Sequence, residues 1–255
     1  MIMFPKVSVI IPAFNEEKYI CRTLAAVIVQ DYPDFEVIVV NNASTDRTES
    51  QVNLFLSKFR ASQPNIIFCS EPRQGTNYAR ECGRRIASGE IIAQLDADCL
   101  PGKRWISAGV KQLHEPGVVA VTGPYDYFDG NLLMRAFTWL SQCLVYPAVN
   151  TMVQLAQRGG IIIGGNTFVK ASVLRDCGGY NTAFTFYGDD VDIASRVSVR
   201  GWINYSGRLS LRSSSRRYKA IGFFSVMKKY QACFWDVIFR KTGNPAQTME
   251  INHPR

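Results

Sequence analysis

Two rhythms of apolar and polar positions alternate along the first hundred residues. Short apolar runs, "KVSVIIPAFN" (6–15), "FEVIVVNNAS" (35–44), "NIIFCSE" (65–71) and "EIIAQLDAD" (90–98), read as strands, the first ending at Pro12. Between them, "EEKYICRTLAAVIVQ" (16–30), "DRTESQVNLFLSKFRAS" (46–62) and "TNYARECGRRIASG" (76–89) have helical spacing. Glu16 and Glu17 fall in the first turn of the first predicted helix, where the helix dipole favours acids, and Gly89 stops the third. Near-continuous apolar strands separated by helices predict a parallel sheet covered on both faces, an α/β fold. Ligands of such sheets bind beyond the carboxyl ends of the strands. Phe14-Asn15-Glu16, Asn41-Asn42 and Asp96-Ala97-Asp98 all fall at that edge.

The pattern then loosens. A helix is predicted over 103–113, a strand over "VVAVTGPYDYF" (118–128), and an apolar, aromatic helical stretch over 130–157, broken near Pro147. "GGIIIGGNTFVKASVLRDCGGYN" (159–181) reads as a glycine-rich turn, a strand and a short helix, and 186–202 as a loop entering a helix. From Leu209 the tail mixes basic and aromatic residues in "SSSRRYKAIGFFSVMKKYQACFWDVIFRK". No stretch has the length of a transmembrane span, and the apolar run after Lys6 reads as a first strand rather than a leader.

Charge and cysteines narrow the partners. With 29 basic and 21 acidic residues the net charge is +8, which suits nucleotides, phosphates or an anionic membrane surface, or else is simply a basic soluble surface. The seven cysteines (21, 69, 82, 99, 143, 177, 233) are odd in number and contain no C-x-x-C pair, which argues against a disulfide framework or a zinc site. Reduced thiols in a cytoplasmic compartment are expected. No G-x-G-x-x-G follows the first strand and no G-x-x-x-x-G-K-[ST] occurs, which disfavours a dinucleotide dehydrogenase and excludes a P-loop NTPase. His114 and His253 have no partner cluster and read as structural.

Two carboxylate clusters carry candidate chemistry. In extended chain, residues i and i+2 face one way, so Asp96 and Asp98 would face one ligand together. Their mutual repulsion is relieved by a divalent cation, and Mg²⁺ or Mn²⁺ takes a few carboxylate oxygens together with phosphate oxygens. The alternative is a strand-end turn with solvated side chains. Asp189-Asp190-x-Asp192 follows Gly188: one acid caps a helix, or one removes a proton from an acceptor hydroxyl.

Five ordered segments, "VSVIIPAFNEEKYI", "VIVVNNASTDRT", "NYARECGRRIASGEIIAQLDADCLP", "GGNTFVKASVLRDCGGYN" and "YGDDVDIASRVSVRGW", resemble family 2 glycosyltransferases over roughly 6–205. The resemblance implies a GT-A fold, with a Rossmann-like, mostly parallel sheet flanked by helices, a nucleotide-sugar donor, a divalent metal (Mg²⁺ or Mn²⁺) and transfer with inversion. It implies that Pro12, Ala13, Phe14, Asn15 and Glu16 pack on the nucleotide, and that Asn41 stands where an Asp usually reads the base. Gly75 and Arg80 match the segment running past the nucleotide. Asp96 matches the acid nearest the nucleoside, with Ala97 between it and the metal-binding acid, Asp98. Gly165-Asn166 resembles the loop near sugar and acceptor, and Asp190 the catalytic base, with Asp189 beside it. On this basis 1–208 forms one GT-A domain, with a nucleotide-binding half (1–100) and an acceptor half (101–208), followed by a basic-aromatic, helical extension (209–255).

Two departures qualify the likeness. Asn41 in place of Asp leaves the base open: a UDP-sugar is favoured, with GDP- or CDP-sugars still admissible. No Q-x-x-R-W follows Asp190, so one sugar per acceptor is expected rather than processive synthesis. Arg216 and Arg217 clamp a phosphate or form a solvated turn. Phe223, Phe224, Phe234 and Trp235 among Lys228, Lys229, Arg240 and Lys241 form an interfacial helix or pack a core. A lipid-linked or cell-envelope acceptor reached from the cytosolic face follows from the first option; no nucleic-acid partner is expected. The competing functions are a catalytically silent nucleotide-sugar binder and a sugar-phosphate nucleotidyltransferase, which would want a basic glycine-rich loop where "PAFNEEKYI" stands.

Overall fold

The computed structural model describes residues 4–59, 64–184 and 188–239, without the side chains of 233–239. The expectations placed on 60–62 and 186–187, on Cys233, Phe234 and Trp235, and on Arg240, Lys241 and His253 lie outside the described residues and side chains.

Three strands start the sheet: β1 (Val7–Ala13), β2 (Phe35–Asn41) and β3 (Asn65–Ser70). β4 (Ile91–Leu95), β6 (Val118–Thr122), β8 (Asn166–Lys170) and β9 (Trp202–Tyr205) complete seven strands in the order β3-β2-β1-β4-β8-β6-β9. All neighbours are parallel except β8, which runs antiparallel to both β4 and β6. The fold is therefore mixed α/β with a mostly parallel sheet, as the resemblance implies; the strand pattern by itself predicts the parallel part and not the reversed β8. β1, β2 and β4 lie inside the sheet and read as apolar runs because both of their faces are covered; β3, at the edge, is half-buried over 66–69 and exposed at both ends.

The helices α1 (Ile20–Val27) and α2 (Thr48–Lys58) cover one face, with α4 (Trp105–Leu113) farther along. α3 (Thr76–Ile86), α7 (Ala171–Asp176) and α8 (Asp189–Ser198) cover the other. α1 buries Ile20, Thr23, Leu24 and Val27, one stripe at helical spacing.

The differences from the sequence reading have local causes. Residues 16–19 are not the first turn of α1: Glu16 donates its N–H to Thr48 Oγ1 (2.7 Å) and buries its side chain. β1 runs through Pro12 to Ala13. α3 ends at Ile86, and Gly89 serves close packing, since a Cβ there would meet the Ser8 nitrogen at 2.6 Å. The strand expected over 118–128 splits at Gly123-Pro124 into β6 and β7 (Tyr125–Tyr127), which join different sheets. The 130–157 stretch is α5 (Leu132–Leu140), one wide turn at Ser141–Val145 and α6 (Tyr146–Leu155). Pro147 lies in the first turn of α6, so the irregularity precedes it.

A second sheet of three short strands, β5 (Cys99–Leu100), β10 (Leu211–Ser213) and β7, has β10 in the middle. Leu209 and Leu211 are fully buried in the main core. Burying each contributes about 1.5–3 kcal/mol. Leu209 and Leu211 thus pack into the same core as β1, β2 and β4, and α9 (Arg216–Ile221) and α10 (Phe223–Phe239) follow β10 in the chain.

Candidate active site

Asp96-Ala97-Asp98 leaves β4 as a turn and not as extended chain: Cys99 N–H returns to the Asp96 carbonyl (3.1 Å), and Thr23 Oγ1 donates to the Ala97 carbonyl (2.7 Å). The carboxylates converge all the same, because the turn folds them together. Ligand atoms of Asp96, Asp98 and Cys99 lie within 4.8 Å of one another. Burial, reinforced by the charges of Asp98 and Asp96, pushes the Cys99 thiol well above its ordinary pKa, so it stays protonated and is a poor ligand. The two carboxylates are hard oxygen donors of the kind Mg²⁺ or Mn²⁺ takes, and they fit such an ion. Arg216 lies 3.0 Å from Asp98, pairs with Glu16, and stacks on Tyr19 with its guanidinium carbon 4.9 Å from the ring centre.

Arg80 joins this turn to the second carboxylate cluster. It is buried, and contacts Asp189 at 2.8 Å, Asp190 at 3.2 Å and Asp96 at 3.7 Å. Burial works against its charge, but the three acids together hold its pKa above the ordinary range. The acids differ in exposure: the Asp189 side chain is 10% exposed and that of Asp190 30%. Burial and the neighbouring Asp190 charge push Asp189 up to about 8 against the pull of Arg80. Burial raises Asp190 as well, opposed by Arg80 and by the Gly164 N–H donated to its carboxylate (3.0 Å).

The glycine pair before β8 makes this proximity achievable. A Cβ on Gly164 would stand 2.0 Å from Asp190 Oδ1, and one on Gly165 would stand 2.1 Å from Asp96 Cγ and 2.4 Å from the Tyr125 hydroxyl. Tyr125 donates that hydroxyl to Asp96 (3.1 Å).

These groups line a cavity of about 440 Å³ beyond the strand ends. Pro12, Ala13, Phe14, Glu16, Arg80, Asp96, Ala97, Asp98, Gly165, Asp189, Asp190, Arg216 and Arg217 are all in its wall. Four expected residues do not line it. Asn15, at φ 55°, spends its side chain on Thr45 N–H. Asn41 holds Glu49 and the Ser44 N–H, and Asn42 stands in the wall instead. Gly75, at φ 145°, enters α3 with its N–H on Asn42 Oδ1. Asn166 is fully buried: its amide donates to the carbonyls of Gly123 (2.9 Å), Pro124 (3.3 Å) and Leu209 (2.6 Å), and its oxygen accepts from Trp105 Nε1 (2.8 Å). It ties the site's supports together and has no atom left for a sugar. The sequence reading missed Tyr125, Tyr127, Gln142, Tyr146 and Ile161–Ile163 in the wall. The alternation Tyr125-x-Tyr127 was the available signal.

A mostly parallel sheet with one reversed strand, and carboxylates gathered beyond its strand ends beside a glycine pair, defines the GT-A class of α/β fold. The chain belongs to glycosyltransferase family 2: the family model described as "Glycosyl transferase family 2" matches residues 8–178. It is 30% identical over 203 residues to a protein of Haloferax volcanii named "Glycosyltransferase AglE", covering 78% of this chain and 63% of that one. It is also 30% identical over 205 residues to "Probable glycosyltransferase YdaM" of Bacillus subtilis, covering 78% and 48%. A solved structure, "Mannosyltransferase PcManGT from Pyrobaculum calidifontis in complex with GDP-Man and Mn2+", matches with TM-score 0.67 and 26% identity, over 86% of this chain and 60% of that one. The chain thus spans between about half and under two thirds of these relatives' lengths.

Proposed function

We propose that the protein is an inverting glycosyltransferase that moves one sugar from a nucleotide-diphosphate sugar to an acceptor hydroxyl, aided by Mg²⁺ or Mn²⁺ at Asp98 and Asp96. The observation that carries this reading is the cavity itself, with Asp96 and Asp98 on one wall and Asp190 on another, spanned by Arg80. Five carboxylates (Glu16, Asp96, Asp98, Asp189, Asp190) face three guanidiniums (Arg80, Arg216, Arg217) in that wall. A diphosphate entering such a site meets net negative charge, which a divalent cation offsets. When bound, the ion supplies positive charge against the leaving diphosphate.

Asp190 is the base. Of the adjacent pair it is the one open to the cavity, while Asp189 is closed in against Arg80. The upward shift of Asp190 strengthens it as a proton acceptor. It takes the acceptor hydroxyl proton, the oxygen forms the new bond at the anomeric carbon, and the bond to the diphosphate breaks with its electron pair leaving on phosphate. Arg216 and Arg217 line the same cavity, where diphosphate oxygens suit guanidinium groups. Asn41 spends its amide on Glu49 and Ser44, so its replacement of Asp leaves UDP-, GDP- and CDP-sugars all as donors to test. A nucleotidyltransferase is disfavoured because the N–H groups of Asn15, Glu16 and Glu17, in the loop after β1, go to Ser44, Thr48 and Asp46 rather than to a phosphate cradle.

The test is thermal stabilisation by UDP-, GDP- and CDP-sugars with and without Mn²⁺, followed by transfer or donor hydrolysis. Asp98→Asn is expected to lose the Mn²⁺-dependent stabilisation. Asp190→Asn is expected to keep it and lose turnover. A silent binder would be stabilised by donor and show no turnover in the wild type. Equal donor binding by wild type and Asp98→Asn with Mn²⁺ present would refute the metal assignment.

A further inference from the structure

The outer face of α5 and α6 has a composition unsuited to water. Leu132 and Leu133 are 81% and 84% exposed, and Phe137, Trp139, Leu140, Leu144, Val145, Met152 and Leu155 are all at least half exposed. Leu133, Phe137, Leu140, Leu144, Met152 and Leu155 recur at steps of three, four or eight, so they form one stripe. Between 132 and 157 the only charged residue is Arg135, which pairs with Asp126 at 3.0 Å. Phe224 of α10, 84% exposed, extends the stripe: the Phe223 ring packs on both Phe137 (5.4 Å) and Phe224 (5.5 Å). Contiguous apolar surface of this extent marks a contact with a membrane or a macromolecule.

Charge decides between the occupants. The segments 130–160 and 213–235 contain no acidic residue, and they contain Arg135, Arg158, Arg216, Arg217, Lys219, Lys228 and Lys229. A second copy of this chain would bring the same cationic excess against it, and like charges across an interface repel. An apolar stripe with a half-exposed Trp instead matches an acyl boundary, and its border carries more cations than acids: Asp126 and Asp129 pair with Arg135 and Lys219, and the balance stays positive, as anionic phosphate headgroups favour. No described helix is long and apolar enough to cross a membrane, so contact through this face is lateral. The stripe is also continuous with the cavity: Phe137 and Val145 belong to both, and Met227 and Tyr230 of α10 line the cavity as well.

We propose that the outer face of α5 and α6, with Phe224, seats on an anionic lipid bilayer, and that the cavity opens there toward an acceptor hydroxyl carried by a membrane lipid. The surface half of this inference stands on the stripe alone; the acceptor half rests on reading the cavity as a donor site. Flotation with vesicles of phosphatidylglycerol and phosphatidylcholine in equal parts, and of phosphatidylcholine alone, tests the surface. The donor-induced thermal shift, measured on the same samples, tests the site separately. The full chain is expected to float with the anionic vesicles, with binding weakened by high salt and by Lys228→Glu. Leu133→Glu with Leu144→Glu and Leu155→Glu, none of them in the cavity wall, is expected to weaken vesicle binding at least tenfold and leave the donor shift unchanged. Leu133→Glu alone, at a side chain with little to lose in packing, gives the same direction should the triple variant fold poorly. A donor shift without vesicle binding overturns the surface. So does equal vesicle binding by wild type and variants, or a dimer in sedimentation that the variants dissociate without any vesicle binding. Vesicle binding without a donor shift overturns the donor site and, with it, the lipid acceptor.

Discussion

Replacing Arg80 with Met tests whether one buried cation holds the two carboxylate walls together. Three acids lose their common partner, but they do not lose equally. Asp96 and Asp190 reach the cavity, where water screens them, whereas Asp189 is closed in. Breaking a buried ion pair from one side costs about 3–5 kcal/mol when the orphaned group stays charged. Asp189 has an alternative, since its carboxyl is already pushed up to about 8 with Arg80 present. At pH 6 it is protonated in the variant, and the cost falls to that of a lost buried hydrogen bond, about 1–3 kcal/mol.

The sign of the pH dependence follows. A carboxyl raised from 3.8 to about 8 on folding contributes stability fully below about pH 4 and loses it as pH climbs to about 8. Above that, wild-type Asp189 is ionised against Arg80 and its slope ends. In Arg80→Met the folded carboxyl titrates higher still, so stability goes on falling. Urea denaturation followed by tryptophan fluorescence from pH 6 to 9 is therefore expected to show a gap that widens above about pH 8. Asp189→Asn in the Arg80→Met background is expected to close most of that widening. A loss under about 0.5 kcal/mol at pH 9, within the range of an ordinary surface substitution, would refute the reasoning. So would a gap that does not change with pH.

Asn166→Ala is expected to destabilise by about 3–5 kcal/mol in the same assay, because it strands the Trp105 N–H and the Gly123 and Leu209 carbonyls in the core. A stable Asn166→Ala that has lost donor binding would return this residue to the sugar loop. Gly165→Ala is expected to weaken nucleotide-sugar binding at least tenfold in calorimetry, since its Cβ would stand 2.1 Å from Asp96 Cγ and displace that carboxylate. Arg216→Ala is expected to bind Mn²⁺ alone more tightly than wild type, because Arg216 competes with a cation for Asp98, and to bind nucleoside diphosphate more weakly; unchanged Mn²⁺ affinity would separate Arg216 from the metal site.

The half of the fold built from buried parallel strands was legible because its periodicities are long and its strands apolar on both faces. β1, β2 and β4 were placed with starts within one residue, although the expected segments ran two or three residues past their ends, and with them came the edge where Glu16, Asp96 and Asp98 gather. Elsewhere the pattern lacked the information. Asn41 and Asn166 are polar residues at strand ends, and sequence alone does not distinguish an amide aimed at a ligand from one holding loops together. The exposed stripe of α5 and α6 has the apolar period of a core-facing helix, so core and surface were equivalent readings until burial was known. Arg80 was expected beside the nucleotide; its contact with acids more than a hundred residues away could not be read from spacing.

The three-stranded sheet explains why the tail residue Arg216 reaches the centre of a site otherwise built from strand ends. β5 begins at Cys99, next to Asp98; β7 begins at Tyr125, whose hydroxyl holds Asp96; β10 lies between them. Its register sets Ser213 opposite both Cys99 and Tyr127. Arg216, three residues on, then starts α9 within 3.0 Å of Asp98, and the Asp129 carboxylate fixes the intervening turn by accepting from Ser214 Oγ (2.9 Å) and the Ser215 N–H (2.5 Å). Strands of two and three residues are too short to declare themselves by alternation, so the sequence showed only a basic tail. Physically they join the Asp96–Asp98 turn, the Tyr125 wall and the cationic segment. α9 and α10 follow β10 in the chain, so the segment that carries Arg216 to Asp98 also carries the Phe223 ring against Phe137.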